Sequence, residues 1–322
     1  MGRLRGYDLH VHTTRSDGKE TPKRVVEIAF KEKNLQGIAI TDHNTIEGID
    51  EAVSAAESCN NFQVIPGVEL SAELSNKKYN LNLDVHLLFY FFDRKSKDIK
   101  NFFTKIEVAK LAYAIKVVDG LKRENILTDQ EAKEQFEKRM EDCSLRKEHI
   151  ISYLKKEKGI VERACHTKIK LLRLEEYRPS IEEAIEIFRI PMVIAHPGLI
   201  IDERNEESND DKLIDFSILE EILIPHKKNI VGLEGEYPYH KVGRVIPEFR
   251  TNEGEDSARA KIRDFSSSRY YNEKSKALAK RLKAMYVGGS DCHSKPQLSE
   301  IGDCITPSYI VKKLRKAITG TD

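Results

Sequence analysis

Six short apolar runs recur along this 322-residue chain, and each contains or ends in an ionisable residue. They are GIAITDH (37–43), FQVIPGVEL (62–70), LDVHLLFYFF (83–92), PMVIAHP (191–197), NIVGLEG (229–235) and AMYVGGSDCH (284–293). Short β-rich runs of this kind read as strands. Helical patterns separate them. In TPKRVVEIAFKEKN (21–34) Thr21 can cap and Pro22 suits the first turn, and in SIEEAIEIFR (180–189) Ser180 and Glu183 form a capping box. Strand followed by helix, repeated, predicts an α/β fold with a mainly parallel sheet. A chain of this length can bury the core that such a fold needs.

In a parallel barrel the carboxyl ends of successive strands converge on one face, where the chemistry sits. The residues at those ends are therefore the candidates for function. YDLHVHTTRSDG (7–18) sets His10 and His12 one residue apart, so at the strand period both imidazoles point to the same face, and Asp17 follows them. Added to the strand-end residues, the candidate set is His10, His12, Asp17, Asp42, His43, Glu69, His86, His196, Glu234, Asp291 and His293. It holds six of the ten histidines; His149, His166, His226 and His240 fall elsewhere. Imidazoles and carboxylates without thiolates suit Zn, Mn or Fe, and such sites commonly hold more than one ion. Cys292 lies between two candidates but points away at the strand period, as a small buried residue.

From 101 to 179 the texture turns to charged helical sequence without strand-like runs, which divides the chain into 1–100, a helical insertion at 101–179, and 180–322. The stretches 202–212 and 250–271 are polar and read as long surface loops or as partly disordered, rather than as a lid. No internal repeat is visible. Lys and Arg number 54 against 53 Asp and Glu, a net charge of +1, so no global field favours long duplex nucleic acid or an anionic membrane. A small anionic substrate remains compatible with it. Five cysteines with no Cys-x-x-Cys spacing argue against a disulfide framework and read as reduced cytoplasmic thiols. The first residues, MGRLRGYDLH, hold no apolar signal core, and Gly6 stands where a myristoylation motif needs Ser or Thr. The longest apolar run, LLFYFF, is far too short to span a membrane.

In order along the chain, HVHTTRSDG, ITDHNT, PGVE, DVHLL, IAHP, GLEG and GGSDCH resemble the successive motifs of the PHP (polymerase and histidinol phosphatase) superfamily, from about residue 7 to 302. The resemblance implies a distorted (β/α)7 barrel with a helical insertion and a centre of three divalent metal ions. It implies one ion on His10, His12, Glu69 and Asp291, with Glu69 bridging to a second held also by His86 and His196. The third falls to Asp17, His43 and His293. Every ligand position of the pattern is filled here. Asp42 then reads as a partner orienting an imidazole, the support that metal-bound histidines usually require. Glu234 is either another such acceptor or a strand-end carboxylate. Within the superfamily, the insertion and GLEGEYPYH are most similar to the branch of nucleotide phosphatases and exonucleases acting on very short RNA.

That branch typically carries Gly-Arg-Pro-His in its insertion, where this chain has Arg146, Lys147, Glu148 and His149. Lysine lacks the bidentate guanidinium fork, and a glutamate repels an anion. These residues are read either as phosphate recognition or as the solvated start of a helix. His240 is read as a donor to the leaving group or phosphate, or as a surface loop histidine. The implied reaction is hydrolysis of a phosphate ester by a hydroxide bridging two ions, with Asp17, Glu69, His196 and His293 in the catalytic centre. The expected substrate is a nucleotide or very short oligonucleotide. A phosphatase acting on histidinol phosphate and a non-catalytic metal-bound scaffold are the alternatives. Ionisable residues gathered without a role are costly to keep together, which counts against the scaffold.

Overall fold

In a computed structural model, residues 5–143, 145–172, 174, 176–202, 212–241, 265–293 and 299–321 are described. The chain divides into two compact units, one of residues 1–96 with 179–322 and one of residues 97–178. The larger unit begins with β1 (Arg5–Val11), α1 (Pro22–Glu27) and β2 (Leu35–Ile40). It continues with α2 (Ile49–Ala56), β3 (Gln63–Asn76) and β4 (Leu81–Tyr90). Thr21 caps α1, its hydroxyl accepting from the Arg24 N–H, and Pro22 occupies the first helical position. The helix expected through residue 34 changes to a π-helical turn at Ile28–Glu32.

The smaller unit is helical: α3 (Lys97–Arg123), α4 (Asp129–Glu141), α5 (Lys147–Lys156) and α6 (Glu162–Leu171). Its core is its own. Tyr113, Ala114, Val117, Val118 and Leu121 recur at helical spacing on α3 and join Phe136, Ile150, Leu154 and Ile169. Thr128 and Glu131 cap α4 reciprocally.

The larger unit resumes with α7 (Ile181–Phe188), β5 (Met192–Ile194), β6 (Ile201–Asp202) and β7 (Lys212–Leu213). Then follow α8 (Phe216–Leu223), β8 (Ile230–Glu236), α9 (Phe265–Leu282), β9 (Met285–Gly288) and α10 (Ser308–Thr319). Ser180 caps α7 by accepting from the Glu183 N–H at 3.1 Å. Its replacement by alanine is expected to destabilise this unit by about 1 kcal/mol, measurable as a lowered unfolding midpoint in urea.

The sheet runs β1-β2-β3-β4-β5-β8-β9, with β6 beside β4 and β7 beside β6. Just past β9 the chain returns to β1: the Asp291 N–H donates to the His10 carbonyl at 2.9 Å, and the His12 N–H to the Cys292 carbonyl at 3.1 Å. The seven principal strands thereby curl into a distorted α/β barrel. Parallel pairing holds for β1/β2, β2/β3, β5/β8 and β8/β9. The expectation of a mainly parallel sheet fails at β4, which is antiparallel to both β3 and β5. The cause is local: only residues 77–80 separate β3 from β4, and a connection that short can form a hairpin but not a helical crossover.

The polar stretches also need correction. Residues 203–211 and 250–264 lie outside the described residues, whereas 265–271 open α9, and residues 202 and 212 belong to short paired strands rather than loops. None of the five cysteines is in a disulfide. Among the described residues no helix is long and apolar enough to cross a membrane.

Candidate metal centre

Alternation along β1 sends Leu9 into an apolar cluster with Val193, Val287 and Leu314, and sends Asp8, His10 and His12, all fully buried, to the other face. Glu69, from β3, is the hub of that second face and is itself fully buried. Its Oε2 lies 3.2 Å from His10 Nε2, 3.2 Å from His12 Nε2 and 3.0 Å from His43 Nδ1. Its Oε1 lies 2.8 Å from His86 Nδ1 and 3.0 Å from His196 Nε2. Five imidazoles thus face one carboxylate.

The nine residues implied as ligands arrive from different elements. His43 follows β2 and bridges to Glu69, His86 stands within β4, His196 follows β5, and Asp291 and His293 follow β9. Two of them depart from the strand-end rule: Glu69 lies midway along β3, and His86 lies within β4, which enters from the opposite direction. Asp291 Oδ1 lies 2.9 Å from His12 Nε2 and 3.4 Å from His10 Nε2. His293 Nε2 is 3.0 Å from Asp17 Oδ2, and His12 Nδ1 is 3.7 Å from Asp17 Oδ1. Three overlapping groups of donor atoms able to hold an ion result: His10, His12, Glu69 and Asp291; His12, Asp17, His43 and His293; His43, Glu69 and His86.

The donor chemistry fits divalent cations. Glu69 Oε2 and Asp291 Oδ1 are buried without an aligned hydrogen-bond donor, although imidazole nitrogens stand within 3.4 Å of them. Oxygens and nitrogens converging on a common point in this way leave lone pairs for a cation to satisfy. Charge tells the same story. Burial opposes ionisation of Glu69 and Asp291, but the surrounding imidazoles outweigh it and hold both carboxylates well below their usual range. Burial likewise opposes charge on His12, yet Asp291 and Glu69 bring its pKa up to about 10. Charge on His10 and His12 is thus favoured by the carboxylates beside them, and a bound divalent cation would take over that counter-charge. Two of these residues stand in the left-handed region, His196 at φ 23° and Asp291 at φ 50°. Such backbone strain persists where the surroundings over-determine it, often at functional sites.

Supporting contacts are equally specific. Glu234 Oε1 meets His10 Nδ1 at 2.9 Å and Oε2 accepts from the His196 N–H at 2.7 Å, so one carboxylate orients two candidate ligands. Asp42 does not orient an imidazole directly, contrary to expectation. It accepts from the Thr13 N–H and hydroxyl and from the Ser16 hydroxyl, bracing the turn after β1, and Ser16 Oγ lies 3.4 Å from His12 Nδ1.

Sequence reading missed Asp8, Ser16 and Tyr237. Asp8 accepts from the backbone N–H groups of His10, Ser290 and Gly302, tying β1 to the chain after β9. Burial raises its pKa to about 6. Its signal was present, since it shares the period-two face of His10 and His12. Tyr237 donates to Asp291 Oδ2 at 2.6 Å. Burial next to Asp291 and Glu234 pushes its phenol well above the usual range and keeps it a donor. No periodicity could reveal it, because β8 slips register between Glu234 and Glu236 and the alternation breaks just before Tyr237.

The expected substrate contacts have partners of their own. In the helical unit, Arg146 pairs with Glu107 and donates to the carbonyls of Cys143 and Leu145 at 3.0 and 2.9 Å. Lys147 pairs with Glu176 at 3.0 Å, and His149 Nδ1 accepts from the Arg146 N–H at the start of α5. In the larger unit, His240 lies in a single helical turn and is bonded to Ser268 Oγ through its backbone N–H and Nδ1.

A 5'-3' exoribonuclease of Haemophilus influenzae is 30% identical over 120 residues, which are 37% of this chain and 41% of that protein. A phosphoribosyl 1,2-cyclic phosphate 1,2-diphosphodiesterase of Eggerthella lenta is 38% identical over 81 residues, 24% of this chain and 30% of that one. The matched segments thus span well under two thirds of either relative. Among solved structures, a protein of Bifidobacterium adolescentis described as a metal-dependent phosphoesterase superposes with a TM-score of 0.66 at 22% identity, covering 98% of both chains, a likeness of fold. The family model of the PHP domain matches residues 8–215, close to two thirds of the sequence and spanning the candidate ligands from His10 to His196, and this chain therefore belongs to the PHP domain family.

Proposed function

We propose that this protein is a metal-dependent phosphoesterase hydrolysing phosphate esters of nucleotides or very short oligonucleotides. The observation that carries the reading is Glu69, fully buried, facing five imidazoles and keeping one oxygen without a hydrogen bond. In this proposal His10, His12, Glu69 and Asp291 would hold one ion, Glu69, His86 and His196 a second, and Asp17, His43 and His293 a third. Divalent ions of the Zn, Mn or Fe type supply electrophilic assistance to a phosphoryl oxygen and a water that ionises near neutral pH. The protein's own part is orientation: Glu234 fixes the ring of His10 through Nδ1, leaving Nε2 toward the centre, and its other oxygen holds the backbone at His196. Ser16 and Asp42 brace the turn that delivers Asp17.

The names of the two relatives support phosphodiester and nucleotide-like substrates. The net charge of +1 supports a short rather than a long polyanion. The test is metal analysis of gently purified protein, followed by a panel of nucleoside monophosphates, histidinol phosphate, cyclic phosphates and oligonucleotides of graded length. More than one equivalent of transition metal and hydrolysis of nucleotides or short oligonucleotides are expected. Hydrolysis of histidinol phosphate alone would reassign the substrate, and a fully active metal-free protein would overturn the reading.

Arg146 is placed by its own contacts. Its bonds to Glu107, Cys143 and Leu145 fasten α3 to the start of α5. Arg146→Ala is therefore expected to lower stability by about 1 kcal/mol and to change kcat/KM less than about twofold, read by thermal unfolding and steady-state kinetics. A loss of about 10- to 150-fold in kcat/KM with unchanged metal content would instead make Arg146 a phosphate contact.

A further inference from the structure

Asp291 has two carboxylate oxygens with different surroundings. Oδ1 faces His12 and His10 and has no hydrogen bond, whereas Oδ2 accepts from the Tyr237 hydroxyl at 2.6 Å. A carboxylate left to itself can turn about its last bond and offer a metal either one oxygen or both. Here one oxygen is already engaged. The residue that engages it is itself held on three sides. The Tyr237 N–H donates to Asn272 Oδ1 at 3.0 Å, and Asn272 Nδ2 donates back to the Tyr237 carbonyl at 3.1 Å, so a side chain of α9 brackets the backbone as a neighbouring strand would. The ring lies against Tyr239, centroids 4.7 Å apart, and against His196, 5.2 Å apart. Tyr239 in turn accepts from the Gly198 N–H at 3.0 Å, joining this cluster to the segment that carries His196. Asp291 also needs such restraint, because its left-handed backbone sends its side chain away from the direction an ordinary strand residue would take.

We infer that Tyr237 is a positioning residue which fixes Asp291 as a one-oxygen metal ligand, and that Asn272 holds Tyr237 in place for this purpose. The inference rests on the metal-centre reading above and adds to it the residue that sets the geometry and affinity of one ion. Partners of this kind commonly change metal affinity by about 10- to 100-fold when removed. Tyr237→Phe removes only the hydroxyl and keeps the ring packed between Tyr239 and His196.

The experiment titrates chelator-treated protein with Co2+, following visible absorption and equilibrium uptake, for the unaltered chain and the Tyr237→Phe variant. One class of Co2+ site is expected to weaken by about 10- to 100-fold, with an altered absorption spectrum as Asp291 gains freedom to bind through both oxygens. The remaining uptake and the melting temperature of the metal-free protein are expected to match the unaltered chain. Identical isotherms and spectra in the two proteins would overturn the role of Tyr237 alone. Uniform weakening of all uptake together with a lower metal-free melting temperature would overturn it as well, showing a structural role only. No uptake by the unaltered protein would overturn the metal centre itself. A second measurement needs no variant: titrating the unaltered protein with spectrally silent Zn2+ is expected to produce an ultraviolet difference spectrum of tyrosine, since drawing charge from Asp291 weakens the bond it accepts. A flat difference spectrum during full Zn2+ uptake would count against the inference.

Discussion

Glu69→Ala is expected to abolish metal uptake at more than one position and to reduce hydrolysis by about 10³-fold or more, the scale at which a lost electrostatic element in an enclosed site is felt. The reason is its position as hub. Oε2 faces His10, His12 and His43 while Oε1 faces His86 and His196, so a single truncation removes an oxygen from two of the three donor groups. The residue is fully buried, and its loss leaves imidazoles packed together without their counter-charge. Removing one side of a buried ionic arrangement typically costs about 3 to 5 kcal/mol, so a lower unfolding midpoint should accompany the loss of metal. Glu69→Gln separates the two effects. It keeps the shape and recovers much of the stability, but its neutral amide is a poor ligand, so uptake and activity stay low. Metal content, urea unfolding and kinetics on the three proteins check this, and a Glu69→Ala protein that retains its metal would contradict it.

Gly289→Ala is expected to damage the same centre without removing any ligand. A Cβ at this position would overlap His10 Cβ and stand 2.5 Å from Glu234 Oε1 and 3.1 Å from the His10 nitrogen. None of these neighbours can yield cheaply. His10 is fixed in β1 and bonded through its carbonyl to the Asp291 N–H, and Glu234 is committed to His10 Nδ1 and to the His196 backbone. One methyl group therefore forces apart the strand that bears His10 and the carboxylate that orients it. Overpacking of this sort costs about 1 to 3 kcal/mol, and displacing the orienting carboxylate adds a loss of about 10- to 100-fold in metal affinity. Calorimetry of the chelator-treated protein reads the first effect and metal titration the second. Normal metal affinity in a destabilised Gly289→Ala protein would show that Glu234 is dispensable for orienting His10.

The two variants differ in an instructive way. Glu69 was conspicuous as the carboxylate near the end of the apolar run FQVIPGVEL, whereas nothing about the glycine pair in AMYVGGSDCH marks Gly289 as a spacer between His10 and Glu234. That constraint exists only once β8, β9 and β1 lie side by side.

What each short segment offers is a local matter of residue order. The period-two pattern of Asp8, His10 and His12 against Leu9 and Val11 can be read from these residues alone, even though β1 slips register against β2 between Asp8 and Val11. Caps such as Thr21 and Ser180 act within one turn, and the donor types at the strand ends could be read off directly. How those donors meet depends on pairings between distant segments. Antiparallel β4 carried His86 into the centre from the opposite direction, closure of β1 onto the segment after β9 set Asp291 against His10 and His12, and the register slip in β8 turned Tyr237 toward Asp291. Asp42, adjacent to His43 in sequence, went instead to brace Thr13 and Ser16. The physical division is one of range. Periodicity and capping are settled by neighbours a few bonds away, while hairpin direction, register and barrel closure are settled by pairing between segments far apart in the chain, whose energies no local pattern contains.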